Sequence, residues 1–378
     1  MIKRFTAIFK TEDRIFGLDL MRFFAIILVI LGHSRWMTAS FPKPLRAVLY
    51  GSGILGVELF FVLSGFLIGG ILLKQFEKNN YSLNFGDIKN FWMRRWLRTL
   101  PNYYFILLVY IALYFNEIPD IIWRYFFFLQ NIWNTPPNFF EESWSLCIEE
   151  LSYLISPLIL ALAAYLFKSA KNINKSIFVW VSIFLIIIIT ILRAYYSVFF
   201  LQEGYKWSHD FREVGLIRLD AIYFGFIVAF IASKYRNYYE KTKVFTFIIG
   251  VMGIAALMVF QKNLTEVNPN LFLNTFFTSF LSIAIALTIP FLASIKTFKF
   301  QFIAKPITAV SIISYSLYLI NNGVVAAMFF KSSNGGEGWT TSFAFDMYIL
   351  YWFLCLFIST LIFVFFEKPI TDLRNRFK

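Results

Sequence analysis

Arg22 and His33 are two residues whose types and spacing could support chemistry on one helix. They lie eleven positions apart in the largely apolar segment GLDLMRFFAIILVILGHS. At about 100° per residue, this separation brings them to within about 20° of the same helix face, about 16 Å apart along the axis. The ordinary pKa of histidine lies near neutrality and suits proton transfer, so we predict that His33, near the outer end of the span, is catalytic, while Arg22, near its cytoplasmic end, suits a polyanion. A packed or interfacial histidine is the simpler interpretation, and the face shared with Arg22 weighs against it.

A serine and two carboxylates lie close together in the segment EESWSLCIEELSYL. Ser145 and Glu149 are four residues apart and therefore neighbours on a helix, and Glu150 follows directly. Two adjacent acids could also simply complement the dipole at the start of a helix, with Trp144 as an interfacial anchor. We predict that Ser145, Glu149 and Glu150 belong to the catalytic site and that Trp144 contacts the substrate.

Three arginines, Arg94, Arg95 and Arg98, occur in the segment NFWMRRWLRTLP. Arg95 and Arg98 are about one helical turn apart and would project together. Guanidinium groups bind phosphates through paired hydrogen bonds, so the three arginines are a candidate site for a phosphorylated cofactor. A basic run beside a membrane span is also typical of a topogenic signal or a contact with anionic lipid, and this alternative stays open.

Other polar residues interrupt apolar segments farther along the chain. An ionisable group within the hydrocarbon region is costly, and by default it marks a functional pathway. Glu58 could instead form a structural ion pair with Arg193 or Arg218, while Arg218 and Asp220 could neutralise one another or their neighbours. The predicted substrate-binding set comprises Glu58, Trp144, Arg218, Asp220, Tyr318 and Asn321.

The composition indicates what kind of protein must position these residues. Of the 378 residues, 59% are hydrophobic and 15% are charged, whereas soluble domains are about 45–50% apolar and about 25% charged. This excludes a water-soluble enzyme, a disordered chain and a disulfide-stapled secreted domain. Because about 20 apolar residues span a membrane as a helix, we predict an all-α integral membrane protein with about ten transmembrane helices. Their limits are approximately residues 16–36, 51–73, 99–116, 144–167, 177–200, 214–233, 243–260, 271–295, 306–330 and 344–366.

The distribution of cations predicts the orientation of these spans. The net charge is +13, and 24 of the 35 Lys and Arg residues lie in the amino-terminal tail, in every second connection and in the carboxy-terminal tail. Cytoplasmic loops carry an excess of Lys and Arg, so both termini are expected in the cytoplasm. The orientation of the spans accounts for the excess of positive charge, so we expect no nucleic-acid partner.

The sequence resembles the membrane-bound acyltransferase family 3. Members of this family are bacterial O-acetyltransferases that modify lipopolysaccharide, exopolysaccharide, peptidoglycan and some small glycosides. The resemblance covers the chain and rests on seven short motifs in one order. These are LDLMRFFAIILVILGH, GVELFFVLSGFLI, RRWLRTLP, SWSLCIEELSYL, RLDAIYFG, ISYSLYLI and FEKP. It implies a single transmembrane acyltransferase domain over residues 1–378, in the bacterial inner membrane, without a separate soluble domain.

The resemblance also implies the reaction and the roles of several residues. An acyl group, usually acetyl, would move from cytoplasmic acetyl-CoA to a sugar hydroxyl of an envelope glycan or lipid-linked sugar. His33 and Arg22 would be the essential pair of the opening motif, and Ser145 and Glu150 would belong to the acceptor or catalytic site. Arg95 and Arg98 would bind the donor. One departure is that Ile320 and Asn321 stand where the family commonly has an aromatic residue and a histidine, which puts acceptor specificity in question.

The residues are compatible with His33 as a general base on the acceptor hydroxyl, with Glu149 or Glu150 orienting the imidazole. A covalent acyl-histidine or acyl-serine at Ser145 is an alternative, as is a longer acyl chain or a lipid acceptor. A secondary transporter or lipid-linked sugar flippase could use the same charges as a proton relay, although we find no internal repeat typical of transporters. No metal is expected, and the sequence leaves the oligomeric state and the glycan open.

Overall fold

The computed structural model of the chain describes residues 14–43, 46, 49, 51–168, 176–201, 204–266, 271–326, 328 and 338–376. Within these residues ten helices are long and apolar enough to cross a membrane, and no strand occurs. The helices are α1 (Phe16–His33), α2 (Ser52–Lys78), α3 (Phe85–Leu113), α4 (Ser143–Leu166), α5 (Ile177–Phe199), α6 (Asp220–Lys234), α7 (Arg236–Glu266), α8 (Leu271–Ser294), α9 (Gln301–Ile320) and α10 (Thr341–Ile362).

The ten helices confirm the predicted fold class and the number of spans. Short turns extend several of them: 3₁₀ turns at Arg35–Thr38 and Leu216–Arg218, and π-helical turns at Asn321–Ala326 and Phe363–Glu367. The predicted orientation stays a prediction. Part of its basis, the tail cations Lys3, Arg4 and Lys10, lies outside the described residues.

The start of α3 differs most from the sequence-based prediction. Hydropathy placed the start of the third span near residue 99, but the helix begins at Phe85. The reason is a capping box, in which the Asn84 side chain accepts a hydrogen bond from the Asp87 amide at 2.9 Å and the Asp87 carboxylate accepts one from the Asn84 amide at 3.0 Å. These bonds satisfy amide groups that have no partner at a helix start. The arginine run is therefore helical and continuous with the span.

Glycine contacts hold α2 close to two neighbouring helices. A Cβ atom added to Gly65 of α2 would overlap the carbonyl oxygen of Ile222 in α6, and one added to Gly225 of α6 would overlap the carbonyl oxygen of Val62 in α2. Gly56 makes a similarly close approach to Ala25 of α1. Small residues allow such backbone contact between membrane helices, so α1, α2 and α6 form the tightly packed centre of the bundle.

Candidate active site

A cavity of about 830 Å³ lies among the helices and contains several of the predicted site residues. We call it the arginine cavity. Its wall includes polar and charged side chains from seven helices. These are Arg22 of α1, Ser64 and Lys74 of α2, Arg95, Arg98 and Thr99 of α3, Ser145, Glu149 and Tyr153 of α4, Ser233 of α6, Arg236, Tyr239 and Glu240 of α7, and Ser314, Tyr315 and Tyr318 of α9.

The cations of the arginine cavity differ in how fully they are compensated. Arg22 donates to the Asp19 carboxylate at 3.5 Å and to the Ser311 hydroxyl at 3.4 Å. In the described part of the chain, neither Arg95 nor Arg98 forms an ion pair with a carboxylate. Arg94 is exposed and does not line the cavity. Two of the three arginines predicted to bind a cofactor thus line one cavity without a salt-bridge partner among the described residues.

Ser145 and Tyr318 meet at the cavity wall. Their hydroxyl oxygens are 2.6 Å apart, and the Tyr318 hydroxyl also donates to the backbone carbonyl of Glu142 at 2.9 Å. Ser145 Oγ also lies 3.4 Å from the same carbonyl oxygen, so either of the two hydroxyl groups can donate in the contact between them. No histidine or carboxylate accepts the Ser145 proton in the described residues. Ser145 therefore lacks the adjacent base that activates a serine nucleophile.

The two adjacent carboxylates of α4 face different surroundings. Glu149 lines the arginine cavity and accepts hydrogen bonds from Ser64 at 2.9 Å and Tyr153 at 3.0 Å. Glu150 is absent from the cavity wall and accepts from Thr99 at 2.7 Å. The structure thus separates the pair, with Glu149 beside the cavity and Glu150 bound to α3.

His33 lies outside the arginine cavity wall, half-buried at the end of α1. Its Nδ1 atom is 2.6 Å from Oδ1 of Asn321. The Asn321 side chain is fully buried, and its amide nitrogen donates to the backbone carbonyls of Leu317 at 3.0 Å and Tyr318 at 2.7 Å. Asn321, predicted to bind substrate, thus contacts the histidine and has no exposed surface to offer a substrate. Tyr318 is the residue that connects the histidine region to the cavity.

The other predicted substrate-binding ions form a separate buried group. Arg218 pairs with Glu58 and Arg193 pairs with Asp220, and all four residues are 0% exposed. Ser282 adds a hydrogen bond to Glu58 at 3.2 Å, and none of the four ions lines the arginine cavity. The geometry corresponds to the structural ion pair that the sequence left open as the alternative for Glu58.

Two charged residues near this region were missed by the sequence analysis. Arg212 places its guanidinium 4.5 Å from the ring centroid of Trp144 and donates to Glu213 at 3.3 Å. Both Arg212 and Trp144 are buried, and Trp144 does not serve as an exposed anchor. Arg212 had counted only as a loop cation, because nothing in its neighbouring sequence indicates that the connection folds back over α4.

Glu142 is the second residue that the sequence analysis missed. Its carboxylate accepts hydrogen bonds from the Tyr110 hydroxyl at 2.7 Å and the Gly323 amide at 2.9 Å. It precedes α4, and burial raises its pKa from 4.5 to about 7 because a charged carboxylate is poorly solvated there. In the sequence it was one of two consecutive acids before a helix, a pattern that is ordinarily exposed.

The sequence is similar to known acyltransferases. A family model of an acyltransferase domain matches residues 15–368. The O-acetyltransferase OatA of Staphylococcus aureus is 28% identical over 382 residues, covering 94% of this chain and 57% of that protein. The peptidoglycan O-acetyltransferase OatA of Listeria monocytogenes is 29% identical over 332 residues, covering 80% and 48%.

A third relative, the putative peptidoglycan O-acetyltransferase YrhL of Bacillus subtilis, is 31% identical over 175 residues, covering 42% of this chain and 25% of that protein. The chain spans about half the length of the first two relatives. No solved structure matches. The acyltransferase model matches residues 15–368, from the residue before α1 to beyond the end of α10. The chain therefore belongs to the acyltransferase 3 family.

Proposed function

We propose that the protein is a membrane O-acetyltransferase that moves an acetyl group from cytoplasmic acetyl-CoA to a hydroxyl of an envelope glycan. The observation that carries the proposal is the arginine cavity. Its wall contains Arg95 and Arg98, which have no salt-bridge partner among the described residues, together with Ser145 and Tyr318, in a member of a family of acyltransferases. Its volume of about 830 Å³ falls within the range of small-molecule sites, about 300–1,000 Å³.

Donor binding follows from the charge of the cavity. Arg95, Arg98 and Arg22 offer planar groups of N–H donors, which suit the phosphates of acetyl-CoA. Lys74 of α2 adds a further cation to the same wall. The distribution of cations along the sequence favours the cytoplasm for this end of the bundle. The thin pantetheine arm would then extend through the cavity toward Ser145 and Tyr318.

The chemistry assigned to His33 is general base catalysis. Its imidazole takes the proton of the acceptor hydroxyl, the hydroxyl oxygen bonds to the thioester carbonyl carbon, and the carbon–sulfur bond breaks. The imidazolium then returns the proton to the CoA thiolate. Direct transfer is supported by Ser145, because among the described residues its hydroxyl contacts only the Tyr318 hydroxyl and the Glu142 carbonyl, and neither is a base that would activate it. Glu149 faces the donor and carries no contact to His33 among its hydrogen bonds.

The acceptor is proposed from the named relatives. Two of them are named for peptidoglycan, so we favour a peptidoglycan sugar hydroxyl over lipopolysaccharide. The half-buried His33 lies at the last residue of α1, outside the wall of the arginine cavity, and eleven residues beyond Arg22 on the same helix.

The test is transfer of radiolabelled acetyl from acetyl-CoA to soluble peptidoglycan glycan strands by the protein in proteoliposomes. Wild type should acetylate the strands and release CoA, whereas His33→Ala should not. His209→Ala is the matched control, because the chain has only two histidines and His209 contacts Asp210 in another connection. Equal transfer by His33→Ala and wild type would overturn the role of His33. Solute accumulation without thioester consumption would favour a transporter instead.

A further inference from the structure

The side chain of Asn321 can present only one kind of atom to His33. Both of its amide hydrogens are used, because Nδ2 donates to the carbonyls of Leu317 and Tyr318 at 3.0 and 2.7 Å. Turning the amide over would set its carbonyl oxygen against those two carbonyl oxygens, so the hydrogen-bond network assigns Oδ1 to the side facing His33. A carbonyl oxygen only accepts hydrogen bonds. The 2.6 Å contact therefore requires a proton on Nδ1 of His33.

The backbone around Asn321 is also fixed in place. Asn321 begins the π-helical turn that follows α9, and its side chain is 0% exposed. Its backbone carbonyl accepts a hydrogen bond from the hydroxyl of Tyr351 in α10 at 3.1 Å. The acceptor oxygen for His33 is thus held by α9 and α10, while the histidine itself is carried by α1. A side chain held this firmly can orient an imidazole without touching a substrate.

We propose that Asn321 is a positioning residue that holds neutral His33 in the tautomer protonated on Nδ1, so that Nε2 is the nitrogen that acts as the base. This inference rests on the proposed function for its catalytic meaning. In the reaction, Nε2 takes the proton of the acceptor hydroxyl as the oxygen–carbon bond forms, and the same nitrogen returns it to the thiolate as the carbon–sulfur bond breaks. The Nδ1 proton stays in its bond to Asn321 throughout.

A neutral orienting partner has a chemical consequence. An aspartate at this place would bind the imidazolium by charge as well as by hydrogen bond. Asn321 supplies the direction without the charge. The charged group that acts on His33 from a neighbouring element is Arg212, from the connection before α6. The base is therefore oriented by a neutral amide, and no carboxylate forms an ion pair with His33 among the described residues.

The tautomer can be observed without any activity measurement. The His209→Ala variant leaves His33 as the one histidine of the chain, so ¹⁵N-histidine labelling gives a single imidazole spectrum. At a pH where His33 is neutral, we expect Nδ1 to show the protonated shift and Nε2 the unprotonated one. Free histidine in water favours the opposite tautomer. A spectrum with Nε2 protonated would overturn the inference, whether or not the protein transfers acetyl groups.

Turnover tests the catalytic meaning of this contact. Asn321→Leu removes the acceptor, and we expect kcat to fall at least tenfold, within the roughly 10⁴-fold loss known for a reversed tautomer. The KM for acetyl-CoA should change less than threefold, because Asn321 does not line the arginine cavity. Asn322→Leu is the matched control, since this neighbouring asparagine contacts Glu141 instead and its variant should keep wild-type kcat.

The outcomes separate the two proposals. An Asn321→Leu protein that is folded and keeps kcat within tenfold of wild type overturns the positioning role, while the proposed function stands. A wild-type protein that never consumes acetyl-CoA overturns the proposed function, while the NMR tautomer decides the structural inference by itself. If Asn321→Leu does not fold, the spectrum of His209→Ala still gives the answer.

Discussion

Replacing Glu58 by Gln should destabilise the protein strongly, because it leaves the charge of Arg218 without its partner. Both side chains are buried, at 0% and 1% exposure, and Ser282 supplies the other hydrogen bond to the carboxylate. The nearby charges of Arg193 and Asp220 already compensate one another. Breaking a buried ion pair on one side typically costs about 3–5 kcal/mol. We expect a loss of stability in this range.

The Glu58→Gln, Arg218→Gln double variant should be less destabilised than Glu58→Gln alone, because no buried charge is left unpaired. Glu77→Gln is the matched control. Its carboxylate pairs with Lys234 at 2.9 Å, but the two side chains are 26% and 28% exposed, so its loss should cost no more than about 1 kcal/mol.

Thermal unfolding in lipid nanodiscs, followed by tryptophan fluorescence, measures all three variants. Equal stability of Glu58→Gln and Glu77→Gln, or additive losses in the double variant, would refute the ion-pair reasoning. A folded Glu58→Gln protein with wild-type stability and a raised acceptor KM would instead return Glu58 to the substrate-binding set. The experiment thereby decides between the two interpretations that the sequence left open.

Three further predictions concern the arginine cavity and its surroundings. Replacing Arg95 and Arg98 together by Gln should raise the acetyl-CoA KM at least tenfold, since hydrogen bonds to charged groups contribute about 1.5–3 kcal/mol each. Arg94→Gln should raise this KM less. Equal increases in KM for the double variant and for Arg94→Gln, measured by titrating acetyl-CoA, would contradict this prediction. Ser145→Ala should keep the rate constant of acetyl transfer, measured in single-turnover assays, within tenfold of the wild-type value. A complete loss of transfer would restore the acyl-serine alternative. The pKa of Glu142 rises from 4.5 to about 7 on folding. Between pH 4.5 and pH 7 the folded protein therefore keeps a proton on this carboxyl group that the unfolded chain has lost. The free energy of unfolding should accordingly fall by up to about 3 kcal/mol as the pH rises from 4.5 to 7. Unfolding of Glu142→Gln at pH 5 and pH 8 should lack this part of the fall, and an unchanged difference would exclude the carboxylate as its cause.

Hydropathy predicted the ten spans well because lipid exposure requires long apolar segments whatever their packing. The same measure failed at the start of α3. The residues before 99 are polar and charged, yet the capping box at Asn84 and Asp87 makes them helical. Hydropathy reports the fit of a segment to hydrocarbon, and it carries little information about a helix that continues beyond the membrane.

The candidate site was predicted in its residue types more than in its arrangement. Glu149 and Glu150 are adjacent, about 100° apart around α4, and only the hydrogen bonds to Ser64 and Thr99 of other helices decide which one faces the cavity. Arg212 could not be singled out, since its role depends on a connection folding over Trp144. Such contacts join residues distant in the sequence, and no local pattern encodes them.

The glycine contacts between α2 and α6 restrict how the arginine cavity can open. With Gly65 and Gly225 each against the backbone of the other helix, these two helices have no side-chain layer on which to slide, and they must move as one rigid body. Ala229 and Ala232 of α6 line the cavity together with α2, and other parts of its wall come from helices outside this pair, among them α3 with Arg95 and Arg98. A change in the width of the cavity therefore cannot come from sliding between α2 and α6, and it requires displacement of the other helices that line the cavity.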